Sequence, residues 1–207
     1  MSRSIVCISR TSGAGGEEVA KLVAEQLGFR YVDDEIVQRA AEIAGVSPEQ
    51  VVEAEHSRPL IARVMEALAT APMVSEGGYV AVPITNPTAS YSHLIEHVIR
   101  ETAEGKNVVI VAHGASHTLG GRPEVLRVLV TASPQTRATR VSRESEIDER
   151  AATKSVDESD KERARYLDRF YKVKQELPVH YDLTLNTDLV TPAIAAALIA
   201  TAARDGN

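Results

Sequence analysis

The chain has 207 residues, of which 43% are hydrophobic and 25% are charged, and its formal net charge is −6. This composition is that of an ordinary globular domain, and the acidic balance argues against a protein that bulk charge holds on nucleic acid or on an anionic membrane. The single cysteine, Cys7, excludes a disulfide framework, and no apolar run approaches the roughly 20 residues of a membrane span. We therefore expect a cytoplasmic protein built as one domain.

Strand and helix patterns alternate along the chain, which predicts an α/β fold with a mainly parallel sheet. Strands are expected at 5–9, 29–32, 108–111, 125–130 and 183–185. Helices are expected at 17–27, 34–44, 59–71 and 91–103, and further helices should begin near 48, 134 and 192. Residues 72–89 contain two glycines and three prolines without helical periodicity, which predicts a long loop or a small hairpin.

The segment from Ser9 to Glu18 joins the first strand to the first helix. A strand, a glycine-rich turn and a helix form the context in which backbone N–H groups bind phosphate. In the phosphate-loop pattern G-x-x-x-x-G-K-S/T, Arg10 stands at the first glycine and Gly15 at the second. Gly16 then replaces the lysine, and Glu17 replaces the hydroxyl residue. We expect this loop to bind ATP through Ser12, Gly13, Ala14, Gly15, Gly16 and Glu17.

The missing lysine requires another side-chain cation if the protein transfers phosphate. Arg10 is our candidate, because it lies in the same loop and its guanidinium fork suits phosphate oxygens. The alternative is that Arg10 pairs with Glu17 or Glu18 and only steadies the turn. The two glutamates are either acids that offset the helix macrodipole or ligands that reach a metal.

The segment 137–169 mixes basic and acidic residues densely. One interpretation is a pair of solvated helices with ion pairs between residues four apart. The other is an arginine-bearing lid that closes over phosphates.

Three stretches resemble the cytidylate-kinase-like branch of the P-loop nucleoside monophosphate kinases. They are ISRTSGAGGEEVAKLVAEQLGFRYVDDEIVQRAAE at 8–42, DKERARYLDRFY at 160–171 and YDLTLNT at 181–187. That branch commonly carries Gly-Gly where the lysine is expected. The resemblance implies a three-layer P-loop NTPase-like α/β fold, in which helices flank a central parallel sheet. It also implies that the single domain contains a substrate-binding helical insertion at 34–106 and a helical lid at 137–175.

The resemblance also implies roles for individual residues. DDEIVQR at 33–39 has the spacing of the family motif D-S-G-x-x-Y-R, which places Asp33 near the acceptor and Arg39 on its phosphate. Asp33 is also the nearest candidate for a Mg²⁺ ligand, and Arg163 matches a lid arginine that meets the transferred phosphate. Without the family, Asp33 would be a helix N-cap and Arg39 a solvated helix residue. Further candidates by position are Arg137 and Arg140 for catalysis and Arg165 and His113 for substrate binding.

The sequence therefore favours an ATP-dependent, Mg²⁺-requiring phosphotransferase that moves the γ-phosphate to a nucleoside monophosphate or a similar small acceptor. One alternative is a nucleotide-binding regulatory module with little or no turnover. Another is a kinase of a non-nucleotide metabolite, since a fold does not determine its substrate. We expect no nucleic-acid or membrane partner, and either a monomer or a homodimer.

Overall fold

The computed structural model describes residues 2–56 and 87–205. Its strands are β1 (Ile5–Arg10), β2 (Arg30–Val32), β3 (Val108–Val111), β4 (Val125–Thr131) and β5 (Leu183–Asn186). They form a parallel sheet in the order β2-β3-β1-β4-β5. The predicted α/β fold with a parallel sheet is thereby confirmed, and each predicted strand lies within a residue or two of its observed bounds.

Helices occupy most of the described remainder. They are α1 (Gly16–Leu27), α2 (Glu35–Ala44), α3 (Pro48–His56), α4 (Pro87–Glu104), α5 (Ala115–Thr118), α6 (Pro134–Ser145), α7 (Glu149–Tyr171) and α8 (Pro192–Arg204), with a 3₁₀ turn at Pro178–His180. The predicted loop at 72–89 is wrong at its end, because α4 begins at Pro87, a residue whose fixed φ suits a first helical turn. The rest of that loop, and the helix predicted at 59–71, lie outside the described residues.

The chain divides into two compact units, 35–98 and the remainder. In the larger unit, α1 and α8 pack on one face of the sheet, where Val19, Val23 and Ile199 join buried residues of β1, β3 and β4 in a single core. In the smaller unit, Ile36, Val37 and Val51 are buried on α2 and α3. Among the described helices, none is both long and apolar enough to cross a membrane.

The apolar strands bury Cys7. It lies in the middle of β1, it is 0% exposed, and burial raises its thiol pKa to about 12. The expectation of a buried core thiol is confirmed, and a nucleophilic role is unsupported because the thiolate form is suppressed at neutral pH.

Strand order brings the candidate residues to one edge of the sheet. From β1 the chain moves to β2 and β3 on one side, and then to β4 and β5 on the other. Because all the strands are parallel, the segments that follow β1, β2 and β3 leave the sheet at the same edge, beside the point where the strand order switches. Ligands of open α/β sheets bind at such a switch point.

Candidate active site

The phosphate loop spans residues 10–17, from the end of β1 to the first turn of α1. Gly13 and Gly15 have φ values of 75° and 73°, in the left-handed region that favours glycine. A Cβ on Gly13 would lie 2.7 Å from the carbonyl oxygen of Arg137, so a side chain there would collide with backbone. A Cβ on Gly15, in contrast, would have no described atom within 4 Å. The N-terminus of α1 therefore opens on free space at Gly15, as binding of an anion by backbone N–H groups requires.

Arg10 lies across Gly16, the position of the missing lysine. A Cβ on Gly16 would be 2.5 Å from Cβ of Arg10 and 3.0 Å from its Cδ. The Arg10 guanidinium forms an ion pair with Glu17 over 2.6 Å, and its buried Nε has no hydrogen-bond partner among the described residues. Arg10 therefore pairs with Glu17, as the second interpretation expects, and it lies in the space from which a lysine at 16 would extend. Its role as the cation of phosphoryl transfer stays a prediction.

Arg137 and Arg140 both donate hydrogen bonds to backbone carbonyls of the loop. Arg137 is 4% exposed, forms two hydrogen bonds of 2.8 and 2.6 Å with Asp160, and donates to the Ser12 carbonyl over 3.4 Å. Arg140 donates to the side-chain and backbone oxygens of Thr187 over 2.9 and 2.7 Å, and to the Gly13 carbonyl over 3.4 Å. Because both guanidinium groups bond to oxygens of the protein, these arginines are better suited to fixing the conformation of the loop than to contacting phosphate directly.

Arg163 on α7 also contacts the loop through backbone. Its guanidinium makes hydrogen bonds of 2.8 and 2.6 Å to Glu176 and donates to the Arg10 carbonyl over 3.2 Å. Tyr181 donates a short hydrogen bond to the same carboxylate. Burial alone would raise the pKa of Glu176, but Arg163 and Tyr181 together hold it below its usual value. Arg163 is thus next to the loop, with its charge directed at a carboxylate, and its predicted contact with the transferred phosphate stays a prediction.

Asp33 and His113 face each other at the ends of β2 and β3. His113 Nε2 and Asp33 Oδ1 are 3.8 Å apart, with side chains 14% and 17% exposed. Tyr31 donates a 2.9 Å hydrogen bond to the other oxygen, Oδ2. Burial, the contact with Asp33 and the charge of Glu17 raise the pKa of the Tyr31 hydroxyl, and Arg10 opposes this. Because β2, β3 and β1 are neighbours in the parallel sheet, the phosphate loop and the Asp33–His113 pair lie at the same edge of it.

The turn that carries His113 is strained. Ala112, His113 and Gly114 have φ values of 60°, 49° and 68°, so three consecutive residues are left-handed. Such a conformation costs about 1–2 kcal/mol for each non-glycine residue. The Ala112 N–H donates to the Ile8 carbonyl over 3.0 Å, and Tyr171 at the end of α7 donates to the His113 carbonyl over 3.3 Å. Strain that neighbouring contacts maintain is typical of functional sites.

Two sequence candidates remain, Arg39 and Arg165. Arg39 is in the smaller unit, where it pairs with Glu42 over 3.0 Å. Arg165 is exposed on α7. Their predicted contacts with substrate stay predictions.

Sequence reasoning missed the partners of the site residues: Tyr31, Tyr171, Glu176 and Thr187. One signal was available for Tyr31, because it stands two residues before Asp33, and residues two apart on a strand share a face. The other three come from distant parts of the chain, and their contacts exist only in the tertiary structure.

Metal-binding groups are sparse in the described part of the chain, which holds no cluster of three or more histidine, cysteine or acidic side chains. Carboxylates beside the loop include Glu17, Glu18 and Asp33. This donor set suits Mg²⁺, which proteins commonly hold by one or two carboxylates together with substrate phosphates.

Comparison with solved structures supports the fold. An uncharacterized protein from Eubacterium ventriosum is similar with a TM-score of 0.69 and 20% identity, covering 97% of this chain and 98% of that one. A protein from Thermus thermophilus has a TM-score of 0.53 and 16% identity, covering 98% of both chains. Shikimate kinase from Bacteroides thetaiotaomicron has a TM-score of 0.50 and 12% identity, covering 95% of this chain and 94% of that one. The predicted P-loop kinase-like three-layer fold is thereby confirmed.

Comparison by sequence is more specific. No curated protein matches the chain. The family model described as the cytidylate kinase-like family matches residues 5–189 and so includes the phosphate loop, Asp33, His113 and Arg163. The resemblance seen in the sequence is confirmed: the chain belongs to the cytidylate kinase-like family.

Proposed function

We propose that this protein is an ATP-dependent phosphotransferase of the P-loop kinase type that moves the γ-phosphate to a small acceptor. Family and fold support phosphoryl transfer in general. The open N-terminus of α1 at Gly15 supports a triphosphate as donor, and the Asp33–His113 pair at the same edge of the sheet supports an acceptor beside it. We further propose that residues 34–106 help to bind the acceptor and that 137–175 form a lid.

One observation carries the proposal: compared with the usual phosphate-loop motif, the cation and a glycine have exchanged positions in this chain. The usual motif has a small residue at position 10 and a lysine at position 16, whereas this chain has Arg10 and Gly16. The close approach of Arg10 to Gly16 explains why the two changes occur together, since a side chain at 16 would overlap Arg10. The loop thus keeps one cation, supplied from the strand instead of the helix.

Each loop residue then has a distinct role. The N–H groups of 13–16 bind phosphate oxygens, and Arg10 neutralises charge on the transferred group, which is the main requirement of phosphoryl transfer. Glu17 would hold Mg²⁺, which would neutralise charge on the β- and γ-phosphates. Asp33 is less suited to the metal, because Tyr31 occupies one of its oxygens and His113 faces the other.

The decisive experiment exchanges the two positions. Arg10→Ala should lower kcat/KM for phosphoryl transfer by about 10²–10³-fold. The double variant Arg10→Gly, Gly16→Lys restores the usual motif and should keep transfer within about tenfold of wild type, a difference of about 1.4 kcal/mol. Gly16→Lys alone should be impaired, since Arg10 fills its space. Arg122→Ala is a matched control, because Arg122 forms an ion pair of the same 2.6 Å length with Glu124 before β4.

The competing function is a nucleotide-binding module with little turnover. It is favoured by Arg137 and Arg163, whose charges are directed at Asp160 and Glu176. The experiment separates the two functions. If wild type binds ATP without transferring phosphate to any acceptor or to water, and the double variant gains transfer, the protein is a binding module.

A further inference from the structure

The Asp33–His113 pair has a geometry that bears on the chemical class of the acceptor. Its two facing atoms are 3.8 Å apart, longer than a direct hydrogen bond and short enough for both to contact one small atom between them. An oxygen about 2.8 Å from each atom satisfies both distances. Tyr31 positions Asp33 by donating a hydrogen bond to Oδ2, and Tyr171 positions His113 by donating one to its backbone carbonyl.

Two classes of acceptor place opposite demands on such a site. The terminal oxygens of a phosphate monoester are largely ionised at neutral pH, because the second pKa of the group is about 6. Such an acceptor has no proton that must leave, and a carboxylate beside it is repulsive. A hydroxyl keeps its proton until it attacks, so its transfer gains from a carboxylate placed to accept that proton.

We propose, on the basis of the phosphotransferase function above, that the acceptor of this enzyme is a hydroxyl group, with Asp33 as its general base and His113 as the group that orients it. The hydroxyl oxygen lies between Asp33 Oδ1 and His113 Nε2. It donates its proton to the carboxylate and accepts a hydrogen bond from the imidazole N–H.

The step balances without a further reactant. The hydroxyl oxygen forms a bond to the γ-phosphorus of the triphosphate, and the bond from that phosphorus to the β,γ-bridging oxygen breaks. The nucleoside diphosphate leaves with the electron pair. The hydroxyl proton moves to Asp33 Oδ1, and the product is a phosphomonoester instead of a phosphoanhydride.

The backbone around His113 provides independent support. Three consecutive left-handed residues place this side chain, and the Tyr171 ring lies where any side chain on Gly114 would have to be. A turn needed only to join β3 to α5 would not require Ala112 and His113 in that conformation.

The test uses the full chain with ATP and Mg²⁺. One reaction contains the four common nucleoside monophosphates, and a parallel reaction contains the corresponding nucleosides with glycerol and small hydroxy acids. Phosphorus NMR distinguishes a phosphomonoester from a phosphoanhydride product, and release of inorganic phosphate measures transfer to water, which is a hydroxyl acceptor present in every reaction. ATP affinity is measured by calorimetry for each variant.

We expect phosphomonoester formation, or failing that transfer to water alone. Asp33→Asn should reduce it by about 10²-fold or more at unchanged ATP affinity, and His113→Asn should reduce kcat more than it changes the KM for ATP. Glu25→Gln, which changes an exposed carboxylate on α1 outside the segments assigned to the site, serves as a matched control that should behave as wild type.

Two results would overturn the proposal. Phosphoanhydride products in place of phosphomonoesters would overturn the hydroxyl assignment and leave the phosphotransferase function standing. Absence of any transfer, including transfer to water, in a wild-type protein that binds ATP would overturn both together.

Discussion

Tyr171 at the end of α7 donates to the His113 carbonyl over 3.3 Å and shares a hydrogen bond of 3.1 Å with Thr118, while its ring lies against Gly114. The last residue of a 23-residue helix therefore clamps the strained turn after β3. Because α7 also carries Arg163, which reaches the phosphate loop through the Arg10 carbonyl, one helix holds two parts of the candidate site.

Gly114→Ala should displace Tyr171 as well as adopt an unfavourable φ. We expect a loss of about 2–5 kcal/mol in the free energy of unfolding, the sum of a left-handed alanine and an overpacked contact. Gly28→Ala is the matched control, because Gly28 is equally left-handed at φ 66° but a Cβ there would have no described atom within 4 Å. It should lose only about 1–2 kcal/mol. If urea denaturation shows equal losses in the free energy of unfolding for the two variants, the displacement of Tyr171 costs no free energy.

Gly15→Val and Gly13→Val should separate binding from folding. At Gly15 the added side chain enters open space at the helix N-terminus, so ATP affinity measured by calorimetry should be lost while circular dichroism stays native. Both variants carry the strain of a left-handed valine, but at Gly13 the side chain also meets the Arg137 carbonyl, so the thermal midpoint should fall further in Gly13→Val than in Gly15→Val. Unchanged ATP affinity in Gly15→Val would contradict the assignment of the phosphate loop.

Arg163→Ala tests whether this arginine leaves Glu176 during turnover. The variant leaves the partly buried Glu176 carboxylate without its ion-pair partner, so the free energy of unfolding should fall by about 2–4 kcal/mol. We also expect kcat to fall about 10²-fold with a smaller effect on KM, as for charge stabilisation of the transition state.

Two further variants interpret that result. Arg165→Ala, an exposed arginine two residues along the same helix, should change the free energy of unfolding by no more than about 0.5 kcal/mol. Glu176→Gln removes the competing carboxylate charge and should reduce kcat far less than Arg163→Ala does. Equal losses of kcat from both variants would mean that Arg163 acts only by holding the loop.

Glu17→Gln should raise the Mg²⁺ concentration needed for the half-maximal rate, because an amide is a weaker ligand for a hard cation than a carboxylate. The Arg10–Glu17 pair is partly exposed, so the free energy of unfolding should change by less than about 1 kcal/mol. Glu18→Gln, the neighbouring exposed acid, is the control. Identical Mg²⁺ titrations for the two variants would exclude Glu17 as the ligand.

His117 should make the protein less stable in mild acid. Its ring packs against Tyr171 with centroids 5.2 Å apart and against Tyr181 and His180, and its buried Nε2 has no hydrogen-bond partner in the described part of the chain. Burial lowers the His117 pKa; the charges of His180, Arg163 and Arg127 act in the same direction, and Glu176 opposes them. As pH falls below about 6.5, the unfolded chain binds a proton that the native protein resists, so the free energy of unfolding decreases.

His117→Phe keeps an aromatic ring and removes the titration. Urea denaturation at pH 7 and pH 5 should therefore show a smaller loss of stability in this variant than in wild type. His93→Asn removes an exposed histidine and should leave the wild-type difference unchanged. A wild-type difference in His117→Phe would assign the acid sensitivity to other groups.

Local pattern was sufficient to predict the sheet and the loop. Continuous apolar runs such as Val108–Val111 predict buried parallel strands, and capping residues predict where helices start: Ser133 accepts from the Thr136 N–H, and Thr191 accepts from the Ile194 N–H. These features depend on neighbours in sequence, so the sequence alone determined them. It also determined that the loop lacks its lysine and that Arg10 is the nearest cation.

Tertiary structure alone decided what each charged side chain does. The sequence offered Arg137, Arg140 and Arg163 as catalytic candidates, yet their partners Asp160, Thr187 and Glu176 lie 13–47 residues away along the chain. The same holds for His113, which meets Asp33 only because β2 and β3 pair in register. The role of a guanidinium or imidazole depends on the charges near it and on how far burial removes it from water. Both depend on segments that only the folded chain brings together.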